Sequence, residues 1–217
     1  GSGEDIFHGG LTEDIRAALS APVLARYRRV QLFGFSVGGH LALKAALDAV
    51  DSRLTAVAAI CSPLDLDQAT IAFDHPSAYF YRRYIFAALN RLYDRAAARH
   101  RFLTPARIVR KARYCRERDA VTVVPRFGFR NPEDYYQRES VANRIHQLAT
   151  PALLVAASYD PIIPARTLRP AISNASHALS VRWVDHGGHV RFPLHLDLGF
   201  GGQPGLAPQV LQWFSRA

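Results

Sequence analysis

The chain has 217 residues, a net charge of +9, and 49% hydrophobic and 11% aromatic content. That composition excludes a disordered chain, and the length suits one domain or one domain with an insertion. No apolar run approaches the roughly 20 residues of a membrane span, and no secretory signal pattern opens the chain.

The sequence holds no methionine, so residue 1 is expected to be a processed, nicked or trimmed end. Gly1-Ser2-Gly3 then reads as a tag remnant or a native loop. Thr12 is expected to cap a helix in which Ile15 and Leu19 share a face, with Glu13 and Asp14 at its favourable N-terminal end. Pro22 limits that helix. A short apolar run at residues 30–33 reads as a strand. It leads into Gly34-Phe35-Ser36-Val37-Gly38-Gly39-His40, and an apolar helical pattern continues to about residue 50.

Strand, Gly-x-Ser-x-Gly, then helix is the arrangement that presents a nucleophilic serine on a strained turn. Its glycines are expected to be there because the turn leaves no room for side chains beside the serine. The backbone N–H of Val37, first in the helix, is the candidate oxyanion donor.

Residues 54–60 read as a buried parallel strand. The next comparable strands are residues 152–157 and 179–184, and a closing helix runs from residue 206 with Val210, Leu211 and Phe214 on one side. Strands alternating with helices imply a parallel α/β sheet. About 90 residues separate Ile60 from Ala152, far more than a minimal crossover needs. The chain therefore divides into α/β core at 1–63, a helical cap insertion at 64–130, and core again at 131–217. The insertion holds two long helical patterns, around residues 79–99 and 105–118. Their aromatic residues Tyr79, Phe80, Tyr84, Phe86 and Tyr93 are expected to pack a small core.

Of 25 Arg and 2 Lys in the chain, 13 Arg and 1 Lys fall in residues 64–130 against 6 acids, a net +8 in that segment. A solvated basic helical face is the simplest account. Attraction of Arg82, Arg83, Arg91 and their neighbours to an anionic membrane surface is the functional one, and no nucleic-acid role is expected. Cys61 and Cys115 are too few for a disulfide framework and fit a buried thiol in a reducing compartment. The expected location is the cytoplasm, peripheral to a membrane if the basic cap binds one.

A serine nucleophile needs a base, and the base needs an orienting carboxylate. Asp160 stands just past the strand 152–157 in Ser158-Tyr159-Asp160-Pro161, and His189 just past the strand 179–184 in His186-Gly187-Gly188-His189. The order Ser36, Asp160, His189 is that of serine hydrolases built on an open α/β sheet. Their separation of 29 residues is about one αβ step, so adjacent strands would bring them together. His186 competes with His189, but the Gly-Gly before His189 lets its loop fold back toward the serine. His40, on the helix after the elbow, reads as a hydrogen-bonded structural histidine. No Cys/His cluster supports a metal and no glycine loop suits a phosphate, so no cofactor is expected.

The elbow, together with Asn131-Pro132-Glu133-Asp134-Tyr135-Tyr136, Tyr159-Asp160-Pro161 and His186-Gly187-Gly188-His189-Val190, resembles the α/β-hydrolase superfamily and, more narrowly, its YheT-like branch of acyl hydrolases. The resemblance implies an α/β-hydrolase fold with a helical cap, a Ser36-Asp160-His189 triad, and hydrolysis of acyl or lipid-like carboxylic esters through an acyl-enzyme. Acyl transfer by the same triad, or a non-catalytic ligand-binding or scaffold module of the same fold, are the rival expectations. Family members carry about four further strands before the segment matched here, including a loop that supplies a second oxyanion donor. Those N-terminal strands are expected to be missing from this chain, and such a segment as a separate chain is an expected partner.

Overall fold

Uncharged runs of Ala, Val, Leu and Ile have no polar face to show to water, so they form strands covered on both sides. In the computed structural model, which describes residues 5–99 and 104–217, two such runs form the centre of a four-stranded parallel sheet, and two more mixed runs, one carrying Gln31 and the other Arg182, form its edges. The strands are β1 (Val30–Phe35), β2 (Leu54–Ile60), β3 (Ala152–Ala157) and β4 (Leu179–Val184), hydrogen-bonded in the order β1-β2-β3-β4. Every pair is parallel, with Phe35 opposite Ile60, Ile60 opposite Val155 and Ala157 opposite Val184. All four strands therefore end on one edge.

Alternate residues of the central strands feed two cores. Val57, Ala59, Leu154 and Ala156 pack with α2 (Val37–Leu47) and α9 (Ala165–Ser173). Ala58, Ile60, Leu153 and Val155 pack on the other face with α10 (Leu206–Phe214) and Leu196, Leu198 and Phe200. Helix α1 (Thr12–Leu19) lies behind α2, where Leu19 meets Ala45 and Val50. On α10, Val210 and Phe214 are buried, but Leu211 is 63% exposed, so the three do not share one inward face as the sequence suggests. Thr12 is the first residue of α1 rather than its cap, and its hydroxyl turns to Asp48 at 3.4 Å.

Between β2 and β3 the described chain is helical: α3 (Leu66–Asp74), α4 (Tyr79–Ala97), α5 (Ala106–Val109), α6 (Cys115–Val121), α7 (Val123–Phe127) and α8 (Pro132–Glu139). The pattern at 79–99 is realised as one helix, whereas 105–118 is broken into α5 and the start of α6. Gly1-Ser2-Gly3 lies outside the described residues, as does 100–103 within the predicted cap segment. The aromatic expectation for α4 divides: Phe86 and Tyr93 are buried, but Tyr79, Phe80 and Tyr84 are exposed, Phe80 by 80%. The small apolar core of this region is instead Leu66, Val123, Phe129, Tyr135 and Tyr136.

The segment before α1 docks onto that core. Gly9 N–H donates to the Tyr135 hydroxyl at 2.9 Å, and the buried His8 ring sits among Phe127, Phe129 and Tyr135. Burial pulls the His8 pKa from 6.5 down to about 4, with a lesser opposing effect from Glu139. The native protein therefore holds this ring neutral at a pH where the unfolded chain is already protonated. Stability is expected to be complete above about pH 6.5 and to fall as pH drops from there toward 4. In thermal melts across that range, His8→Gln should show a shallower decline than the parent. An identical pH slope in both would mean that His8 takes no part.

Candidate active site

The turn from β1 into α2 carries the first functional side chain. Ser36 occupies φ +51°, ψ −125°, outside the regions an L-residue prefers. Three hydrogen bonds hold it there: Ser36 N–H donates to Ile60 O at 2.8 Å, and Ser36 O accepts from Gly39 and His40 N–H at 3.0 and 3.1 Å. The glycines beside it are not equivalent. A Cβ on Gly34 would stand 2.4 Å from the Gly38 backbone, and one on Gly39 would meet Ser62 Oγ at 2.0 Å and Gly34 O at 2.8 Å. A Cβ on Gly38 meets nothing among the described residues. The steric expectation therefore holds for Gly34 and Gly39 and not for Gly38. Val37 opens α2, so no earlier turn of the helix supplies an acceptor for its N–H.

On the same sheet edge, the loops after β3 and β4 bring Asp160 and His189 together, with Nδ1 to Oδ2 at 2.8 Å. Asp160 is buried. Its other oxygen accepts from Ile162 and Ile163 N–H at 2.8 and 3.0 Å, so the carboxylate is fully satisfied and rigidly aimed. With Nδ1–H committed to Asp160, His189 keeps Nε2 as its free basic position. Among the described residues no hydrogen bond joins Ser36 Oγ to His189; such contacts commonly close only when substrate arrives. His186 is exposed and lies away from the pair. His40 is fully buried between the Pro63 and Glu139 carbonyls at 2.9 and 3.0 Å. Burial lowers its pKa against the pull of those carbonyls, so it is a tie between segments rather than an exposed base.

Sequence reasoning did not place Cys61 here. The end of β2 lies beside the end of β3, and the donor atoms of Cys61, Asp160 and His189 all fall within 4.8 Å of one another. They form the one group of metal-ligand type among the described residues. Burial first, and the neighbouring Asp160 charge second, push the Cys61 thiol up to about 12. A neutral thiol is a poor ligand and a poor nucleophile, and Asp160 and His189 already satisfy each other.

Ser36 and Val37 open onto a cavity of about 830 Å³ roofed by the helices between β2 and β3. Its walls are largely apolar, with Leu66, Phe73, Phe86 and Leu89 among them, and it also includes Ile162 and Ile163, which hold Asp160. That volume suits a drug-sized or lipid-like ligand.

A parallel sheet with a strained serine elbow at one strand end, and an Asp–His pair at two others, defines the α/β-hydrolase class. The family model for the alpha/beta hydrolase fold matches residues 24–195, and the chain belongs to that family. It is 25% identical over 198 residues to an Escherichia coli protein named as an esterase, YheT, covering 86% of this chain and 56% of that one. It is 26% identical over 202 residues to the monoacylglycerol lipase ABHD2 of Danio rerio, covering 84% of this chain and 44% of that one. The chain thus spans about half the length of these curated relatives. Among solved structures, an esterase domain from a Rhodothermus marinus protein superposes with a TM-score of 0.51 at 19% identity, over 95% of this chain and 68% of that one. This last likeness concerns the fold.

The glycine geometry gives a direct test. Gly34→Ala and Gly39→Ala should each destabilise the fold by roughly 1–3 kcal/mol through overpacking. Gly38→Ala should be neutral or slightly stabilising, since alanine costs less entropy in a helix. Chemical denaturation of the three variants measures this; equal losses in all three would contradict the distinction.

Proposed function

We propose that the protein hydrolyses carboxylic esters of acyl or lipid type, with Ser36 as nucleophile, His189 as general base and acid, and Asp160 as the group that fixes the imidazole. The observation that carries this reading is the 2.8 Å His189–Asp160 pair, built from a buried and fully satisfied carboxylate, on the sheet edge where Ser36 faces the cavity. In the first half-reaction Ser36 Oγ attacks the ester carbonyl carbon while its proton passes to His189 Nε2. The carbonyl oxygen gains the charge, and the Val37 N–H stabilises it. Collapse of the tetrahedral species breaks the bond to the alcohol oxygen, which leaves with the proton from His189. Water then gives up a proton to the same nitrogen and attacks the acyl carbon; collapse breaks the Ser36 Oγ–acyl bond, His189 returns the proton to Oγ, and the acid leaves. The named activities of the relatives, esterase and monoacylglycerol lipase, and the apolar cavity support an acyl-lipid substrate.

Ser36→Ala should lower turnover of a p-nitrophenyl ester by on the order of 10³-fold or more, and His189→Ala by a similar factor, because the three residues act as a unit. Wild-type turnover in Ser36→Ala would overturn the assignment. Loss in His186→Ala with full activity in His189→Ala would reassign the base.

The cap's basic character supports peripheral binding to an anionic lipid surface, although its arginines divide by role. Arg82 is buried and donates to Phe73 O at 2.6 Å and Arg113 O at 3.1 Å, so it braces the fold. On α4 the exposed positions include Arg83 and Arg91 beside the exposed rings of Phe80 and Tyr84, a pairing of cation and aromatic suited to an interface. No helix among the described residues is long and apolar enough to cross a membrane. Co-sedimentation should show stronger binding to anionic than to neutral vesicles, weakening with salt and falling in Arg83→Glu/Arg91→Glu. Equal, salt-insensitive binding to both would remove the membrane role.

A further inference from the structure

The cavity that receives Ser36 also contains a carboxyl group for which ester hydrolysis has no use. Asp119, on α6, lines the cavity, and its Oδ2 accepts from the Tyr136 hydroxyl at 2.6 Å. Protein surrounds it so closely that burial, opposed by the Tyr136 bond and by Arg118, lifts its pKa to about 6. Oδ1 is different: it has no protein donor among the described residues, yet no buried side-chain oxygen there is left without a partner. Oδ1 therefore keeps accessible surface, on a residue that lines the cavity.

Three other polar groups of the cavity wall have protein partners. Thr122 Oγ1 donates to Arg118 O at 2.7 Å, and Arg118 donates to Asn90 Oδ1 at 2.6 Å. Tyr135 OH accepts from Gly9 N–H at 2.9 Å. A charged carboxyl with one free oxygen, facing an apolar chamber, is a strong and directional acceptor. Arg118 already sets a positive charge beside it, so a second cation is not required, and a neutral donor completes the set.

We propose that Asp119 Oδ1 is a recognition subsite for a free hydroxyl group of the substrate, so that the cavity prefers hydroxyl-bearing acyl compounds over their plain apolar counterparts. The proposal rests on the ester-hydrolase reading for its biological meaning, but the binding it describes does not depend on turnover. The hydroxyl can sit on the alcohol side of the ester, as in a glycerol ester, or on the acyl chain, and the two sources are separable.

The test uses Ser36→Ala protein and three uncleavable ethers followed by calorimetry: 1-O-octylglycerol, 8-hydroxyoctyl propyl ether and octyl propyl ether. One of the two hydroxylated ligands should bind roughly 10- to 100-fold more tightly than octyl propyl ether, as expected for a hydrogen bond to a charged acceptor. Which one does so identifies the source. Adding Asp119→Leu with Tyr136→Phe replaces both members of the pair by apolar groups of similar size, a change that tends to spare stability. The preference should then fall to within about 3-fold of unity. If that protein does not fold, Asp119→Ala with Tyr136→Phe demands less volume and is read in the same way. Equal binding of all three ethers by Ser36→Ala, or a preference that survives loss of the carboxyl, overturns the proposal. Failure of the hydrolase reading is seen separately, as absence of ester turnover by the wild-type protein.

Discussion

The hydrogen bond from Ser36 N–H to Ile60 O, 2.8 Å long, is the contact on which the site depends. It extends the β1–β2 ladder by one residue into a backbone conformation that serine would otherwise avoid. The strain is sustained because the surroundings over-determine it. Gly34 lets the first turn of α2 close over the strand end, and Gly39 lets α2 lie directly against Ala59 and Ser62. The helix can then pack its apolar residues Ala42, Leu43 and Ala46 onto the sheet. The stability of that core holds the serine in place, since the same helix both buries the core and starts at Ser36.

The Asp160–His189 half of the candidate site is built by other means. Asp160 sits on a turn whose own N–H groups, from Ile162 and Ile163, accept the task of solvating the carboxylate in place of water. Those two residues also line the cavity. The segment that aims the carboxylate therefore also shapes the chamber, and an occupant of the chamber bears on the loop that orients His189. Cys61, neutral and buried, packs against the pair at the end of β2.

The helical region between β2 and β3 uses its arginines as structural parts as much as surface charge. Arg116 joins Asp67 and Glu133, Arg110 pairs with Asp94, and Arg82 ties three carbonyls, those of Phe73, His75 and Arg113. Guanidinium groups suit this because their fork of donors satisfies several carbonyls at once. The segment's net positive charge is therefore a poor measure of how much free cation it presents to a partner.

The sequence by itself determined the sheet and the positions of the chemistry. Uncharged seven- and six-residue runs such as Leu54–Ile60 and Ala152–Ala157 have one stable form, a doubly covered parallel strand, and the groups after each strand necessarily fall on one edge. That Asp160 and His189 meet on the edge where β1 ends at Ser36 was legible for that reason. Tertiary structure decided what local pattern cannot encode. It separated Gly39, pressed against β2, from Gly38, which meets nothing. It split the aromatics of α4 into buried Phe86 and exposed Phe80, because helical spacing names two faces without saying which one finds a neighbour. It also brought Cys61 to Asp160, and Tyr136 of α8 to Asp119 of α6. Such pairs join residues far apart in the chain, and only the packing of separate elements sets their distance.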